Sequence, residues 1–572
     1  MFINETVNTA IAVVKLLKWK RKISNFNYSY RPDVENTKFM CARDAVALIP
    51  DNACLMGMGM TVSARPAILW SAIGDRYKKT GSPKNLTVIT AGGAGARGKI
   101  PGSVEDVGLK GLNTEFISGH LETARAQLAL AEAGDCVLGV LPQGVIAHLA
   151  EAQGKGEEYI TTKVGVGTFM DPRVGAGSRV IPGLGEQLVE VDGDRLKYRI
   201  PSVNAAVVIA PSADIEGNIY VKEAVIYSEA KEAVLAAKRN GGVSIVTVTK
   251  IIPKDESAIY IKAEYIDAIV VNPTNDITGT VEQRKPWKEL VPGGGGNIEK
   301  ARAKIKALNA VLKADPERSE KDLILARQAA AVFSEISQPD AHCVIGYGLP
   351  QEVSRQIMQG GIGDKLTFML ETGIYGGTPA PGFFFGLSFN PKKLMSSSEM
   401  FHLVEKNLDI TILGTLQVDE EGNVNVSKKG EGAKNYIGPG GFLNLVANAR
   451  KIIFVGAFMA KSRIRIKNNE LTVLEPGIPK FVKRVDEITF SAKEALKAGK
   501  EVYYVTHLAA FKLSERGLEL VSVAPGIDVQ RDIIANSEAR INLPEDGMVE
   551  IYEESVVSGK NFRLNWINSM RN

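Results

Sequence analysis

The sequence predicts an α/β fold of two similarly folded, open, mostly parallel domains in one chain, and three observations carry that prediction. From Ala45 onward, short apolar runs of strand length alternate with helical stretches, the order that builds a βαβ sheet. Several of these runs end in glycine-rich turns, where open α/β sheets hold their ligands. The second half also repeats the first. Cys54-Leu55-Met56-Gly57-Met58-Gly59 returns as Cys343-Val344-Ile345-Gly346-Tyr347-Gly348, and Leu86 to Ala91 returns as Leu366 to Glu371. Asp214-Ile215-Glu216-Gly217-Asn218-Ile219 returns as Asp419-Glu420-Glu421-Gly422-Asn423-Val424. Three matches in one order indicate a duplicated unit.

In chain order, residues 1–38 form a basic extension. Ala10 to Lys22 is amphipathic, and no acidic residue lies between Val7 and Tyr30. The stretch reads as a mitochondrial-type transit peptide, as an ordinary N-terminal helix, or as a start codon placed too far upstream. The N-terminal domain, 39–286, has strands at Ala53 to Gly59, Leu86 to Thr90, Asp135 to Val140, Ala205 to Ala210, Ser244 to Thr249 and Ala268 to Val271. Residues 287–321 are the linker. Gly293-Gly294-Gly295-Gly296 is its most flexible stretch, and a helix over Ala301 to Lys313 sets Ile305, Leu308 and Leu312 on one face. The C-terminal domain is 322–572.

Composition removes several classes of function. A chain of 572 residues with 45% hydrophobic and 23% charged content is an ordinary globular protein with ample core. A net charge of +4 is small for that size and implies no nucleic-acid partner. The four cysteines (Cys41, Cys54, Cys136, Cys343) are widely spaced, and the five histidines form no paired ligand motif. That fits a reducing compartment without a metal centre. No segment reaches the length of a membrane span.

The chemistry then rests on carboxylates, backbone amides and glycine loops. The apolar run Leu366 to Leu370 delivers Glu371 into a loop carrying Gly373, Gly376, Gly377 and Gly382. Alone, a Glu before a glycine caps a strand and faces water. The repeat argues otherwise, because the first copy ends the same strand with Ala91. A carboxylate is not needed there for structure, and the C-terminal half is assigned the chemistry. Gly346-Tyr347-Gly348-Leu349-Pro350 precedes a helix from Gln351 to Gln359, whose free amides suit phosphate. Gly438-Pro439-Gly440-Gly441 precedes a helix from Leu443 to Ala449, where backbone amides can form an oxyanion hole. Pro142-Gln143-Gly144 places a side-chain amide at a strand–helix junction. Gly93 to Ile100 mimics a P-loop. Ile100 stands where the magnesium ligand belongs, however, and Pro101-Gly102 prevents the helix start, so nucleotide hydrolysis is rejected.

From about Phe39 to Ile534 these stretches together resemble family I CoA-transferases, most closely the acetate/propionate branch. Glu371-Thr372-Gly373 is similar to the family's nucleophile motif, and Gly438 to Phe442 to its glycine loop. Val164-Gly165-Val166-Gly167-Thr168-Phe169-Met170-Asp171-Pro172-Arg173 is similar to a signature of that branch. The basic extension and His120-Leu121, where relatives place an aromatic after the His, depart from the pattern. The resemblance implies a site between the domains with Glu371 as nucleophile and Gly440, Gly441 and Gln143 as oxyanion or positioning groups. It implies CoA contacts from Gly346, Gly348, Pro350, Gly438 and Lys461, no metal, and no cofactor beyond coenzyme A as a substrate. The implied reaction moves CoA between acyl-CoA and short-chain carboxylates (acetate, propionate, butyrate) through a glutamyl-CoA thioester on Glu371. An acyl-CoA hydrolase on the same scaffold and a non-catalytic ligand-binding protein are the alternatives. A homo-oligomer, a tetramer, is implied, with neither nucleic acid nor membrane as partner. The expected location is the cytoplasm, or a mitochondrial-type organelle if residues 1–38 are a transit peptide.

Overall fold

Uninterrupted apolar runs such as Ala205 to Ala210 can satisfy their backbone and lose their surface together only as strands covered on both faces. The computed structural model, which describes residues 2–98, 100–313, 315 and 317–566, builds two sheets from such runs. In the first half the strands are β1 (Cys54–Gly57), β2 (Leu86–Thr90), β3 (Asn113–Ser118), β4 (Val137–Val140), β5 (Ala205–Asp214), β6 (Val243–Ile252) and β7 (Ala268–Val271). They lie parallel in the order β7-β6-β5-β1-β2-β3-β4, and β5 is buried along its whole length.

The second half opens with β8 (His342–Ile345), β9 (Thr367–Leu370), β10 (Ile374–Tyr375) and β11 (Lys393–Leu394). It continues with β12 (Ile410–Gly414), β13 (Lys451–Val455), β14 (Glu501–Val505), β15 (Ala509–Ser514), β16 (Gly517–Val523) and β17 (Ile541–Asn542). Their order is β11-β10-β9-β8-β12-β13-β14-β15-β16-β17. The block β14-β13-β12-β8-β9 is parallel and matches β7-β6-β5-β1-β2 strand for strand. Beyond β9 the two halves part. The first sheet adds the parallel strand β3, whereas the second doubles back as the antiparallel pair β9–β10. Glu371 sits in that reversal.

The repeated turn confirms the duplication at atomic detail. Asp214 Oδ1 accepts from the amides of Gly217 and Asn218 at 2.9 and 3.0 Å, and Asn218 Nδ2 donates to Oδ2 at 2.8 Å. Asp419 Oδ1 likewise accepts from the Asn423 amide at 2.8 Å, with Asn423 Nδ2 donating to Oδ2 at 3.2 Å.

The helices that matter are α1 (Phe2–Ile23), α2 (Gln143–Lys155), α3 (Ala230–Arg239), α4 (Ile298–Leu312), α5 (Glu320–Ile336), α6 (Leu349–Gln359), α7 (Ser397–Asn407) and α8 (Phe442–Asn448). α1 does not stand off from the body. It lies along α4, burying Ala12, Leu16 and Ile23, and the indole N–H of Trp19 donates to Asp276. Two linker expectations change. Gly296 is tied to Asn390, its amide donating to Oδ1 at 3.3 Å, so the glycine run is held rather than loose. Ile305 and Leu308 are buried, but Leu312 at the end of α4 is exposed. The P-loop look-alike holds no phosphate cradle, because the amides of Ala96 and Gly98 donate to the Glu105 carboxylate; Lys99 of that motif lies outside the described residues.

Candidate active site

Glu371 occupies the tip of the β9–β10 reversal, a turn closed by the Gly373 amide donating to the Leu370 carbonyl at 2.9 Å. Gly373 has φ +96°, and a Cβ there would meet the Met395 carbonyl oxygen at 2.0 Å, so the turn requires glycine. The carboxylate keeps a little surface toward the cleft, yet burial alone pushes its pKa up to about 7. Its backbone carbonyl accepts from Ser397 Oγ, at the start of α7, at 2.9 Å.

The glycine loop closes on this carboxylate. A Cβ on Gly441 would lie 1.8 Å from Glu371 Oε1, so only glycine permits the approach. Gly441 caps α8, and its own N–H has no hydrogen bond among the described residues. Gly440 differs from expectation. Its amide already donates to the Gly119 carbonyl at 2.6 Å and its carbonyl accepts from the Gln143 amide at 2.8 Å. It therefore joins the domains and offers no free donor. Gln143, the first residue of α2, is buried, and its side-chain Nε2 has no partner among the described residues. An orphaned buried amide costs free energy unless a ligand satisfies it.

Both halves thus build one cleft. The end of β3 and the start of α2 come from the first half, and the β9–β10 tip and the loop before α8 from the second. The seam is held by the Leu121 amide on the Ile437 carbonyl at 2.7 Å and the Gly144 amide on Asn444 Oδ1 at 3.0 Å. Gly438 packs against this seam, where a Cβ would meet the Gly119 carbonyl at 2.7 Å. His120 beside it is driven down to about 4 by burial, so it is neutral. The signature Val164 to Arg173 reaches the same seam. Phe169 donates its amide to the Ile488 carbonyl at 2.8 Å and meets Tyr436 edge-on.

This chain is 33% identical over 511 residues to a caffeate CoA-transferase of Acetobacterium woodii, a match covering 87% of this chain and 93% of that one. The chain belongs to the CoA-transferase family. The acetate CoA-transferase YdiF of Escherichia coli K12 is 29% identical over 506 residues, covering 86% of this chain and 91% of its own. The crystal structure of the YdiF acyl-CoA transferase apoenzyme from E. coli O157:H7 superposes with a TM-score of 0.78 at 26% identity, covering 92% of this chain and 98% of that one. A thioester complex of that protein with CoA superposes equally well, at a TM-score of 0.78. No protein-family model matches the chain.

For a CoA-transferase, the remaining candidate residues divide. Gly348 (φ +87°) and Pro350 shape the start of α6, but the Gly348 amide is closed by Gln351 Oε1 at 3.3 Å. Gly346 donates its amide to the Ile412 carbonyl at 2.9 Å and serves as backbone packing. Between them Tyr347 is exposed, touches Phe385 edge-on and donates its hydroxyl to Asp315 at 2.7 Å. Lys461 follows its short strand with φ +61° and an exposed side chain that makes no contact with Glu371 or the glycine loop among the described residues. Of the apolar side chains around the tip, Phe384 and Ile374 are core, whereas Phe383 and Phe385 keep exposed surface.

Several residues at this transferase site carry no motif. Ser397 holds the Glu371 backbone, and its own amide donates to the Ser228 carbonyl at 3.0 Å. Ser228 adopts φ +41° and donates its hydroxyl to the buried Glu229 at 2.9 Å. Within Ser396-Ser397-Ser398 the sequence shows only a helix cap, which Ser396 supplies.

Proposed function

We propose that this CoA-transferase exchanges CoA between acyl-CoA and short-chain carboxylates such as acetate, propionate and butyrate, with Glu371 as the nucleophile. The observation that carries the reading is the Glu371 carboxylate itself, desolvated enough to sit at about 7 and set so close to Gly441 that a Cβ there would displace it. The likeness to a protein whose structure is a thioester complex with CoA supports it.

An oxygen of Glu371 attacks the thioester carbonyl carbon, and the resulting tetrahedral oxyanion expels CoA thiolate to leave an acyl-glutamyl anhydride. The thiolate attacks the glutamyl carbonyl carbon and expels the first carboxylate, giving the enzyme–CoA thioester. An incoming carboxylate attacks that carbon and releases the thiolate, which attacks the acyl carbonyl of the new anhydride. The new acyl-CoA departs and Glu371 is restored as a carboxylate. A carboxylate is required because the anhydride must present two carbonyls, one of them the enzyme's. The Gly441 N–H and Gln143 Nε2 are the donors for the oxyanion, each worth about 2.7–4 kcal/mol of barrier. Phe383 and Phe385 keep water from the anhydride. CoA lies across Gly346 to Pro350 and Gly438. Lys461 completes that site only if its exposed chain reaches the nucleotide end of CoA. We place the enzyme as a homo-oligomer, a tetramer, in a reducing cytoplasm, in keeping with four free, buried cysteines. The domain bounds proposed are 39–286, 287–321 and 322–572.

Intact mass after incubation with acetyl-CoA alone tests this. Wild type gains the mass of CoA through Glu371, loses it on adding acetate or propionate, and Glu371→Ala gains nothing. Steady CoA release without an adduct points to a hydrolase, and no turnover points to a binding protein.

A further inference from the structure

The extension has a face that neither the fold nor the site uses. α1 turns Ala12, Leu16, Trp19 and Ile23 inward, and its opposite side is apolar as well. Val7, Ile11, Val13, Val14 and Leu17 are exposed, from 38% for Val13 to 63% for Leu17. Along the helix Val7, Ile11, Val14, Lys18 and Arg21 follow one another at spacings of four, three, four and three, so they line one outward stripe. The stripe is aliphatic over its first three members and basic over its last two. Lys15 flanks it on one side and Leu17 on the other, with Lys20 further round the helix. Lys15, Lys18, Lys20 and Arg21 make no ion pair among the described residues, whereas Lys22 is paired with Glu282. Five large aliphatic side chains in one patch exceed the scattered apolar exposure of an ordinary surface.

We propose that this outward face of α1 docks the enzyme on an anionic phospholipid surface. An interfacial helix lies flat, with aliphatic side chains at the boundary between head groups and acyl chains and lysines reaching up to the phosphates. The outward face of α1 carries both groups, and no acidic residue between Val7 and Tyr30 opposes the charge. A second copy of this chain fits worse. An antiparallel pair centred on Val14 sets Val7 against Arg21 and Ile11 against Leu17 and Lys18. A parallel pair sets bases against bases, with no acid on the stripe to neutralise them. Docking does not require α1 to leave the body, because Trp19 and Ile23 anchor its other side. The sequence alone implied no membrane partner. The refinement is peripheral attachment, since no helix among the described residues is long and apolar enough to span. The inference stands independently of the role of Glu371.

The test is flotation of the full-length enzyme with vesicles of phosphatidylcholine alone and of an equal mixture with phosphatidylglycerol, at low and high salt. Wild type is expected to float with the anionic vesicles only, less so as salt rises, because each base near such a surface adds roughly fivefold to partitioning. Val14→Asp/Leu17→Asp and, separately, Lys18→Glu/Arg21→Glu should each lower the floated fraction at least about tenfold. Transferase activity and thermal midpoint should be unchanged in both. Equal flotation with both vesicle types, no flotation, or variants that float like wild type would overturn the proposal. A loss of oligomeric mass in Val14→Asp/Leu17→Asp by light scattering would also overturn it, assigning the face to a contact between copies.

Discussion

At the scale of single residues, Glu371 as the proposed nucleophile trades stability for reactivity, and pH exposes the trade. Its carboxyl titrates near 7 against an ordinary 4.5, so turnover through a carboxylate nucleophile should climb as pH rises from 6 to 8. A kcat/KM profile with an ascending limb near 7 is expected; a limb below about 5 would show that the free enzyme holds Glu371 as an ordinary surface acid. The folded chain also binds this proton more tightly than the unfolded chain does. The stability it contributes is therefore complete below 4.5 and lost as pH passes through 7, a difference of about 3 kcal/mol. Glu371→Gln should accordingly raise the thermal midpoint relative to wild type at pH 8 and much less at pH 5. Gly441→Ala makes a sharper steric case, since its Cβ would lie 1.8 Å from Oε1. Displacing the carboxylate by an ångström should cost on the order of a hundredfold in kcat with the fold retained by circular dichroism. That Glu371 stands apart from the repeat was legible from sequence, because the duplicated strand ends in Ala91. The free amide at Gly441 was not, since consecutive glycines look alike until the Gly119 carbonyl from the other domain takes up Gly440.

At the scale of elements, α2 and α7 each begin at the site and meet further along. α2 starts with Gln143 and α7 with Ser397, the residue that fixes the Glu371 carbonyl. One or two turns on, the rings of His148 and His402 stack at 4.1 Å, and His402 Nε2 lies 2.9 Å from Glu151 Oε2. Burial opposes ionisation of Glu151, but hydrogen bonds from Lys155, Ser398 and His402 outweigh it and hold the carboxyl at about 2. The Glu405 carboxylate, 3.7 Å from His402 Nδ1, with the hydrogen-bonded Glu151 adding to it, raises His402 despite its partial burial. Burial and repulsion from His402 push His148 the other way. Because the folded value of His402 is raised, its contribution is complete below 6.5 and fades as pH rises through the raised folded value. The thermal midpoint of wild type should thus exceed that of His402→Gln near pH 6, with the gap closing toward pH 9. A gap that widens with pH would show that the imidazolium does not tie the helices. Of the two helices only the start of α2, at the Pro142-Gln143-Gly144 junction, was legible in the sequence, and α7 was not read from it. Their pairing was invisible, because it depends on which helix faces lie together across the two halves.

At the scale of the whole molecule, the site exists only where two copies of one fold diverge. The shared parallel block and the twin Asp turns follow from repeated sequence and were legible from it. The antiparallel return at Glu371 and the parallel continuation through β3 are where the copies specialise, and the cleft lies between those two places. On the proposed mechanism neither half carries the chemistry alone: one brings Glu371 and Gly441, the other Gln143 and Gly119. The linker packs on the second half beside the Glu371 loop. Its Asp315 gathers the Tyr347 hydroxyl and the Phe383 amide, each at 2.7 Å, and Trp287 stacks on Phe384 at 5.3 Å. The Trp287–Phe384 stack and the seam hydrogen bonds cross a cut at Gly295, are noncovalent and should survive it. Co-expressed as two chains divided there, the halves should purify together and keep transferase activity within about tenfold of the intact enzyme, the cost of converting an intramolecular contact into an association. Either half alone should show no turnover and form no CoA adduct. Adduct formation by the isolated second half would mean that Gln143 and the seam are dispensable for the first chemical step.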